Sequence, residues 1–128
     1  MVTAGLVLAG LAALFHVYVF YLESLAWSSE RTRAAFGTTV EDAAVTRQLA
    51  FNQGFYNLFL AIVVVSGIIA FAANAPVVGA TLVFAGAGSM VGAGLVLLLS
   101  SRHLARAALA QLVPPLLGVI LLAIGLLS

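Results

Sequence analysis

The sequence predicts an all-α integral membrane protein, an up-down four-helix bundle in which residues 1–128 form a single domain. Hydrophobic residues make up 64% of the chain and charged residues 7%, whereas a soluble domain carries roughly 25% charged residues. The apolar residues also fall into four runs, each near or above the ~20 residues that a helix needs to span a bilayer. The chain therefore has too little polar surface to face water, and we expect it to be surrounded by lipid.

The first predicted span covers residues 2–27. No basic segment precedes this apolar run, so we interpret it as a retained helix and not as a cleaved signal peptide. His16, Phe20, Glu23 and Trp27 follow the i, i+4, i+7, i+11 spacing of a helix, which predicts that their side chains share one face. That face carries a titratable imidazole and a carboxyl group inside an otherwise apolar segment.

A polar connection, residues 28–48, separates the first span from the second. Thr39 followed by Asp42 resembles a capping box, and so does Thr38 followed by Glu41. Both patterns predict that a helix begins here, lies partly in the membrane interface, and continues into the second span.

The second span is predicted at residues 49–73 and ends in the uncharged turn Asn74-Ala75-Pro76. The third span, residues 77–100, is rich in small residues. Its Gly88 and Gly92 form a GxxxG pair, which predicts a helix-packing face and a homo-oligomer formed through it.

The fourth span, residues 107–128, contains Gln111. Arginines are confined to two connections, the first and the third: Arg31, Arg33, Arg47, Arg102 and Arg106. An up-down topology places these two connections on one side, and the positive-inside rule makes that side cytoplasmic. The sequence thus predicts a multi-pass protein of the bacterial plasma (inner) membrane with both termini extracytoplasmic.

Polar side chains inside a membrane are costly unless they meet partners, so they mark a candidate site. We expect them to form one cluster that opens to the cytoplasmic side, with Glu23 paired to Arg47 at its mouth. The predicted ligand-binding residues are Glu23, Arg47, Asn52, Gln53, Tyr56, Asn57 and Gln111.

The chain lacks the residues that several classes of chemistry require. The chain has no Cys, which excludes disulfides and thiol catalysis. Two residues, His16 and Glu23, are too few to bind a metal ion. A net charge of +1 provides no excess of positive charge for binding nucleic acid. We therefore expect no metal, no cofactor and no nucleic-acid partner, and membrane lipid as the surrounding partner.

Several strings together resemble a known family: Phe20–Glu23, Trp27, Phe51–Asn57, and Gln111 with Pro114–Pro115. The chain is similar over nearly its whole length to small bacterial four-helix integral membrane proteins grouped as a family of unknown function. The resemblance implies a four-helix inner-membrane protein but does not imply a particular biochemical role.

A weaker similarity is to the membrane-associated eicosanoid and glutathione metabolism superfamily, which also has an Arg and an Asn near the start of the second helix. Arg47 and Asn52 match this pattern loosely. Phe55 stands near the place of the acidic residue that follows the Asn in that superfamily, which argues against glutathione binding.

Three functions remain open from the sequence. The first is binding or transport of a small amphiphilic or lipid-like molecule in the polar pocket. The second is a membrane enzyme with a lipophilic substrate, in which His16, Glu23 and Tyr56 would be the candidate catalytic residues and would have to converge on one space. The third is a structural or assembly subunit that pairs through Gly88 and Gly92.

Overall fold

The computed structural model describes residues 1–128 and is helical throughout, with no strand. Its five α-helices are α1 Val2–Phe20, α2 Glu30–Phe36, α3 Val40–Ala72, α4 Pro76–Ser100 and α5 Ala105–Leu127. A π-helical turn, Tyr21–Leu25, prolongs α1, and a 3-10 turn, Arg102–Leu104, precedes α5. With these turns included, four of the helices are long and apolar enough to cross a membrane, as the sequence predicts.

Helix α3 begins well before the apolar run that it contains. Thr39 is its N-cap, and the Thr39 Oγ1 accepts a hydrogen bond of 3.0 Å from the backbone N–H of Asp42. The predicted helix start is thus confirmed at Thr39, not at Thr38. The helix has 33 residues and is about 50 Å long at ~1.5 Å per residue, longer than the ~30 Å hydrocarbon core of a bilayer. Its first turns therefore extend beyond the apolar span.

The short helix α2 was not predicted from the polar connection. Ser29 caps its start by accepting a hydrogen bond from the backbone N–H of Thr32, and Gly37 ends it in the left-handed conformation (φ 64°). Seven residues make fewer than two helical turns, so α2 is too short to show the periodicity by which the long helices are recognised.

Close helix contacts depend on residues without bulky side chains. A Cβ added to Gly5 of α1 would lie 2.6 Å from the backbone nitrogen of Leu122 in α5. A Cβ on Gly79 of α4 would lie 2.6 Å from the backbone nitrogen of Phe71 in α3. These helices can approach so closely because glycine has no side chain at the contact.

The predicted packing pair Gly88 and Gly92 does not take part in these contacts. A Cβ on either residue would meet open space. Within the chain, α4 packs instead through glycines that lie on another face, among them Gly86 and Gly94. Contact through Gly88 and Gly92 stays a prediction about a partner outside this chain.

The core is narrow and the outer surface is apolar. Only 27 of the 128 residues are buried, because the long helices form a single layer around a thin core of small residues with Val64, Val83, Met90 and Leu122. Large hydrophobic side chains are exposed along every long helix. Such a surface is stable against lipid and unfavourable in water.

Candidate functional site

The site begins at the π-helical turn that ends the first span. In this turn the backbone N–H of Ala26 donates to the carbonyl oxygen of Tyr21, five residues earlier, at 3.0 Å. Turns of this type are rare and frequently occur at functional sites. Glu23 lies in the middle of the turn, and its side chain is only 9% exposed.

The partner of Glu23 is Asn57 on α3. The Asn57 Nδ2 donates a hydrogen bond of 2.8 Å to the Glu23 Oε2 and also lies 3.3 Å from the backbone oxygen of Gln53. The other carboxylate oxygen, Oε1, has no donor from the protein, and no fully enclosed side-chain oxygen or nitrogen lacks a partner. The Oε1 therefore opens onto one of the spaces that Glu23 lines.

Gly54 allows α3 to approach the π-helical turn. A Cβ at this position would lie 3.0 Å from the backbone nitrogen of Ser24 and 3.1 Å from the Cβ of Glu23, and would collide with the Ser24 Oγ. That hydroxyl is itself held in place, because it donates to the carbonyl oxygen of Phe51 at 2.8 Å. Gly54 stood inside the Phe51–Asn57 string, but its packing role could not be read from the sequence.

A partly open cavity of about 470 Å³, the inner cavity, lies beside Glu23. All five α-helices contribute to its walls, which are mostly apolar. Its polar side chains, apart from the Tyr18 phenol, are Glu23, Gln53, Asn57 and Gln111, and none of its lining residues is Arg, Lys or His. The volume is within the range of small-molecule sites, roughly 300–1,000 Å³.

Helix α2 covers one side of the inner cavity. Its Phe36 lines the cavity and packs edge-on against Trp27, with ring centroids 5.1 Å apart. The Trp27 Nε1 donates to the carbonyl oxygen of Ala43 at 3.1 Å and lies 3.3 Å from the Thr46 Oγ1. Trp27 thus connects the cover to the first turns of α3. The covering role of Phe36 had no signal in the sequence.

A second, more open space of about 780 Å³, the outer recess, is lined by Glu23, Trp27 and Arg47 among others. The predicted pairing of Glu23 with Arg47 is wrong, because the hydrogen-bond partner of the carboxylate is Asn57. Arg47 is exposed at the recess. Glu23 therefore lines both the outer recess and the inner cavity.

Asn52 and Tyr56 lie on a different face of α3. Together with Gln53 they line a shallow side groove, and the Tyr56 side chain is 66% exposed. Successive residues of a helix are rotated by about 100°, so Asn57 reaches Glu23 and the inner cavity while Asn52 and Tyr56 face the side groove. Gln53, which is exposed, lines both spaces. The expected single cluster is divided in this way, and a ligand-binding role for each residue stays a prediction.

The remaining candidates are Gln111, which reaches the inner cavity from α5, and His16. His16 is buried, and its Nδ1 donates to the carbonyl oxygen of Ala12 at 2.9 Å. His16, Glu23 and Tyr56 line no common space among the inner cavity, the outer recess and the side groove. The convergence that acid–base catalysis by these three residues requires is thus absent from these spaces.

Comparison with known proteins adds one match. The model of a family described as "Protein of unknown function (DUF1304)" matches residues 10–123, a range that includes Glu23, Asn57 and Gln111. No curated protein and no solved structure matches the chain. The weaker similarity to the membrane-associated eicosanoid and glutathione metabolism superfamily has no support among these comparisons.

Proposed function

The chain belongs to the DUF1304 family of unknown function, and we propose that it binds or transports a small amphiphilic molecule in the inner cavity, with the polar head of that molecule at Glu23. The observation that carries the proposal is the environment of the Glu23 carboxylate. One of its oxygens is bonded to Asn57, the other has no donor from the protein, and Glu23 lines both the inner cavity and the outer recess.

An amphiphile fits this arrangement because the two parts of the cavity differ in chemistry. Side chains such as Phe15, Leu22 and Leu97 form apolar walls for a hydrocarbon tail, while Glu23 and Gln111 supply hydrogen-bonding groups for a head. Ligand sites commonly combine mostly apolar walls with a few polar groups that orient the ligand. A purely structural core would be filled by side chains at native packing density.

We also propose an orientation in the membrane. The contacts of Gly5 with Leu122 and of Gly79 with Phe71 join the start of one helix to the end of its neighbour, which supports an up-down four-helix bundle. The positive-inside rule then places the connections that hold all five arginines in the cytoplasm of a bacterial cell and both termini outside. In this orientation the outer recess faces the cytoplasm and is the polar entrance.

Neither alternative function is favoured over binding. Acid–base catalysis would require His16, Glu23 and Tyr56 to contact the same substrate, and they line no common space among those described above. The assembly subunit is supported by the open face at Gly88 and Gly92 and is compatible with a binding role, since that face is separate from the inner cavity.

Native mass spectrometry of protein gently extracted from its membrane tests the binding function. We expect a small-molecule adduct on the wild type that is lost in Ala107→Phe, because a phenyl ring at this lining position would take up volume in the inner cavity. Ala110→Phe is the matched control, since Ala110 is an exposed residue of the same helix and does not line the cavity.

An adduct that survives in Ala107→Phe would contradict occupation of the inner cavity. If no adduct is found on the wild type, the protein is titrated with decanol in lipid nanodiscs and the fluorescence of Trp27 is followed. A wild-type response no larger than that of Ala107→Phe would then overturn the proposal.

A further inference from the structure

We infer that the inner cavity selects amphiphiles with a cationic, N–H-donating head, such as a protonated amine, over anionic or neutral ones. The inference rests on the proposed function and adds the chemical class of the ligand. It is carried by the inventory of polar groups around the cavity and by the open carboxylate oxygen of Glu23.

The charge of the residues that line the inner cavity favours a cationic head. Glu23 is the only ionisable side chain of the cavity lining apart from the Tyr18 phenol, and no basic residue lines the cavity. Arg47 lines the outer recess and not the inner cavity. A carboxylate or phosphate head would therefore meet a like charge in a mostly apolar space, which is unfavourable. A cationic head would provide the counterion that Glu23 lacks.

The hydrogen-bond acceptors of the inner cavity favour a head that donates N–H groups. The Glu23 Oε1 is an acceptor without a protein donor. Gln111 reaches the same cavity from α5, and its side chain makes no hydrogen bond within the protein. A protonated amine has three N–H donors and no acceptor, so it can bond to the carboxylate and to the carbonyl oxygen of Gln111. Hydrogen bonds between an ammonium and a carboxylate are stronger than those between neutral groups.

The outer recess offers neutral polar groups on the way to Glu23. Glu23 lines both the outer recess and the inner cavity, so its carboxylate is at the boundary that a head group crosses. Ser28, Ser29 and Gln48 line the recess with neutral polar groups. These can hydrate a head group before it reaches Glu23.

The test uses three probes with the same decyl chain and different heads: decylammonium, decanol and decyl sulfate. The protein is held in phosphatidylcholine nanodiscs, and binding is followed by the fluorescence of Trp27, the only Trp of the chain, whose ring contacts the cavity residue Phe36. Protein-free nanodiscs correct for partition into lipid. We expect decylammonium to bind more tightly than decyl sulfate by about tenfold or more.

Three variants identify the origin of the preference. Glu23→Gln removes the charge but keeps an oxygen that can accept from Asn57, and we expect the three probes to bind it with similar affinity. Gln111→Lys places a cation in the cavity and leaves Glu23 intact, and it should likewise remove the preference. Glu41→Gln is the control, because Glu41 is exposed and lies outside the cavity; its preference should equal that of the wild type.

The outcomes separate the two proposals. If all three probes bind the wild type equally, or decyl sulfate binds best, and Ala107→Phe abolishes binding, the cavity binds amphiphiles but the inferred selectivity is wrong. A preference that persists in both Glu23→Gln and Gln111→Lys also overturns the inference. If no probe changes Trp27 fluorescence beyond its effect on Ala107→Phe, the proposed function fails as well.

Discussion

Asn57 on α3 donates a hydrogen bond of 2.8 Å to the carboxylate of Glu23, a residue 34 positions earlier in the chain. This bond joins the π-helical turn after α1 to the middle of α3 beside the inner cavity. It stabilises a carboxylate that would otherwise lie inside an apolar protein with no partner.

Removal of the Asn57 amide should destabilise the protein. Asn57→Leu leaves the buried Glu23 without its donor, and we expect the free energy of unfolding to fall by about 1–3 kcal/mol. The measurement is reversible unfolding in mixed micelles. Asn52→Leu is the matched control, since it makes the same change on the exposed face of α3 and should alter the free energy by less than about 0.5 kcal/mol. Equal effects of the two substitutions would show that the bond to Glu23 contributes nothing.

A methyl group at Gly54 should separate α3 from the π-helical turn. Gly54→Ala places a Cβ against the backbone nitrogen and hydroxyl of Ser24, and we expect a loss of about 1–3 kcal/mol from such overpacking. Gly92→Ala adds the same methyl group in open space and should stabilise α4 by roughly 0.5–1 kcal/mol, because alanine favours a helix over glycine. Thermal unfolding of both variants in one detergent tests the contrast. A Gly54→Ala variant as stable as Gly92→Ala would refute the close approach.

Loss of the Phe36 ring should open the inner cavity on the side of α2. Phe36→Ala removes the ring that packs against Trp27, so we expect a red-shifted Trp27 emission, stronger quenching by acrylamide, and faster release of a bound amphiphile. The edge-on aromatic pair is worth about 0.5–1.5 kcal/mol beyond its buried area. Phe59→Ala removes an equally large ring from an exposed position on α3 and should leave Trp27 unchanged. Identical spectra for both variants would argue against a cover formed by α2.

The proposed orientation can be tested by labelling single cysteines, because the natural chain has none. A membrane-impermeant maleimide should modify Ala75→Cys and Ser128→Cys in intact cells. Ser28→Cys and Ser101→Cys should react only after the membrane is permeabilised, since they belong to the connections that carry the arginines. Labelling of Ser28→Cys in intact cells would reverse the proposed orientation.

The open face of α4 should form the contact between copies if the chain is an oligomer. Gly88 and Gly92 are one turn apart on this face and meet nothing within the chain, and small residues at this spacing allow two helices to approach closely. We expect Gly92→Cys to form a disulfide-linked dimer in native membranes under mild oxidation. Ile62→Cys, on an exposed face of α3, is the control and should remain monomeric. If both variants remain monomeric, the prediction of a homo-oligomer through this face is wrong.

The spans of the helices could be predicted from the sequence because they depend on local properties. Long apolar runs predict membrane helices by length, and Thr39 followed by Asp42 predicts the start of α3 from the hydrogen bond that a Thr side chain can accept. The left-handed Asn74 (φ 61°) likewise lies in the predicted turn. Each of these features involves residues a few positions apart, so no information about distant parts of the chain is needed.

The arrangement of the site required the tertiary structure. Helical periodicity shows that Gln53 and Asn57 share one face and that Asn52 and Tyr56 share another, but it does not show which face turns inward. The absence of a side chain at Gly54 permits α3 to lie against the π-helical turn in this rotation, in which Asn57, not Arg47, bonds to Glu23. The sequence alone therefore determined an all-helical chain with four segments able to span a membrane. The packing of distant segments decided which polar groups meet at the cavity, because such contacts depend on how whole helices are rotated against each other.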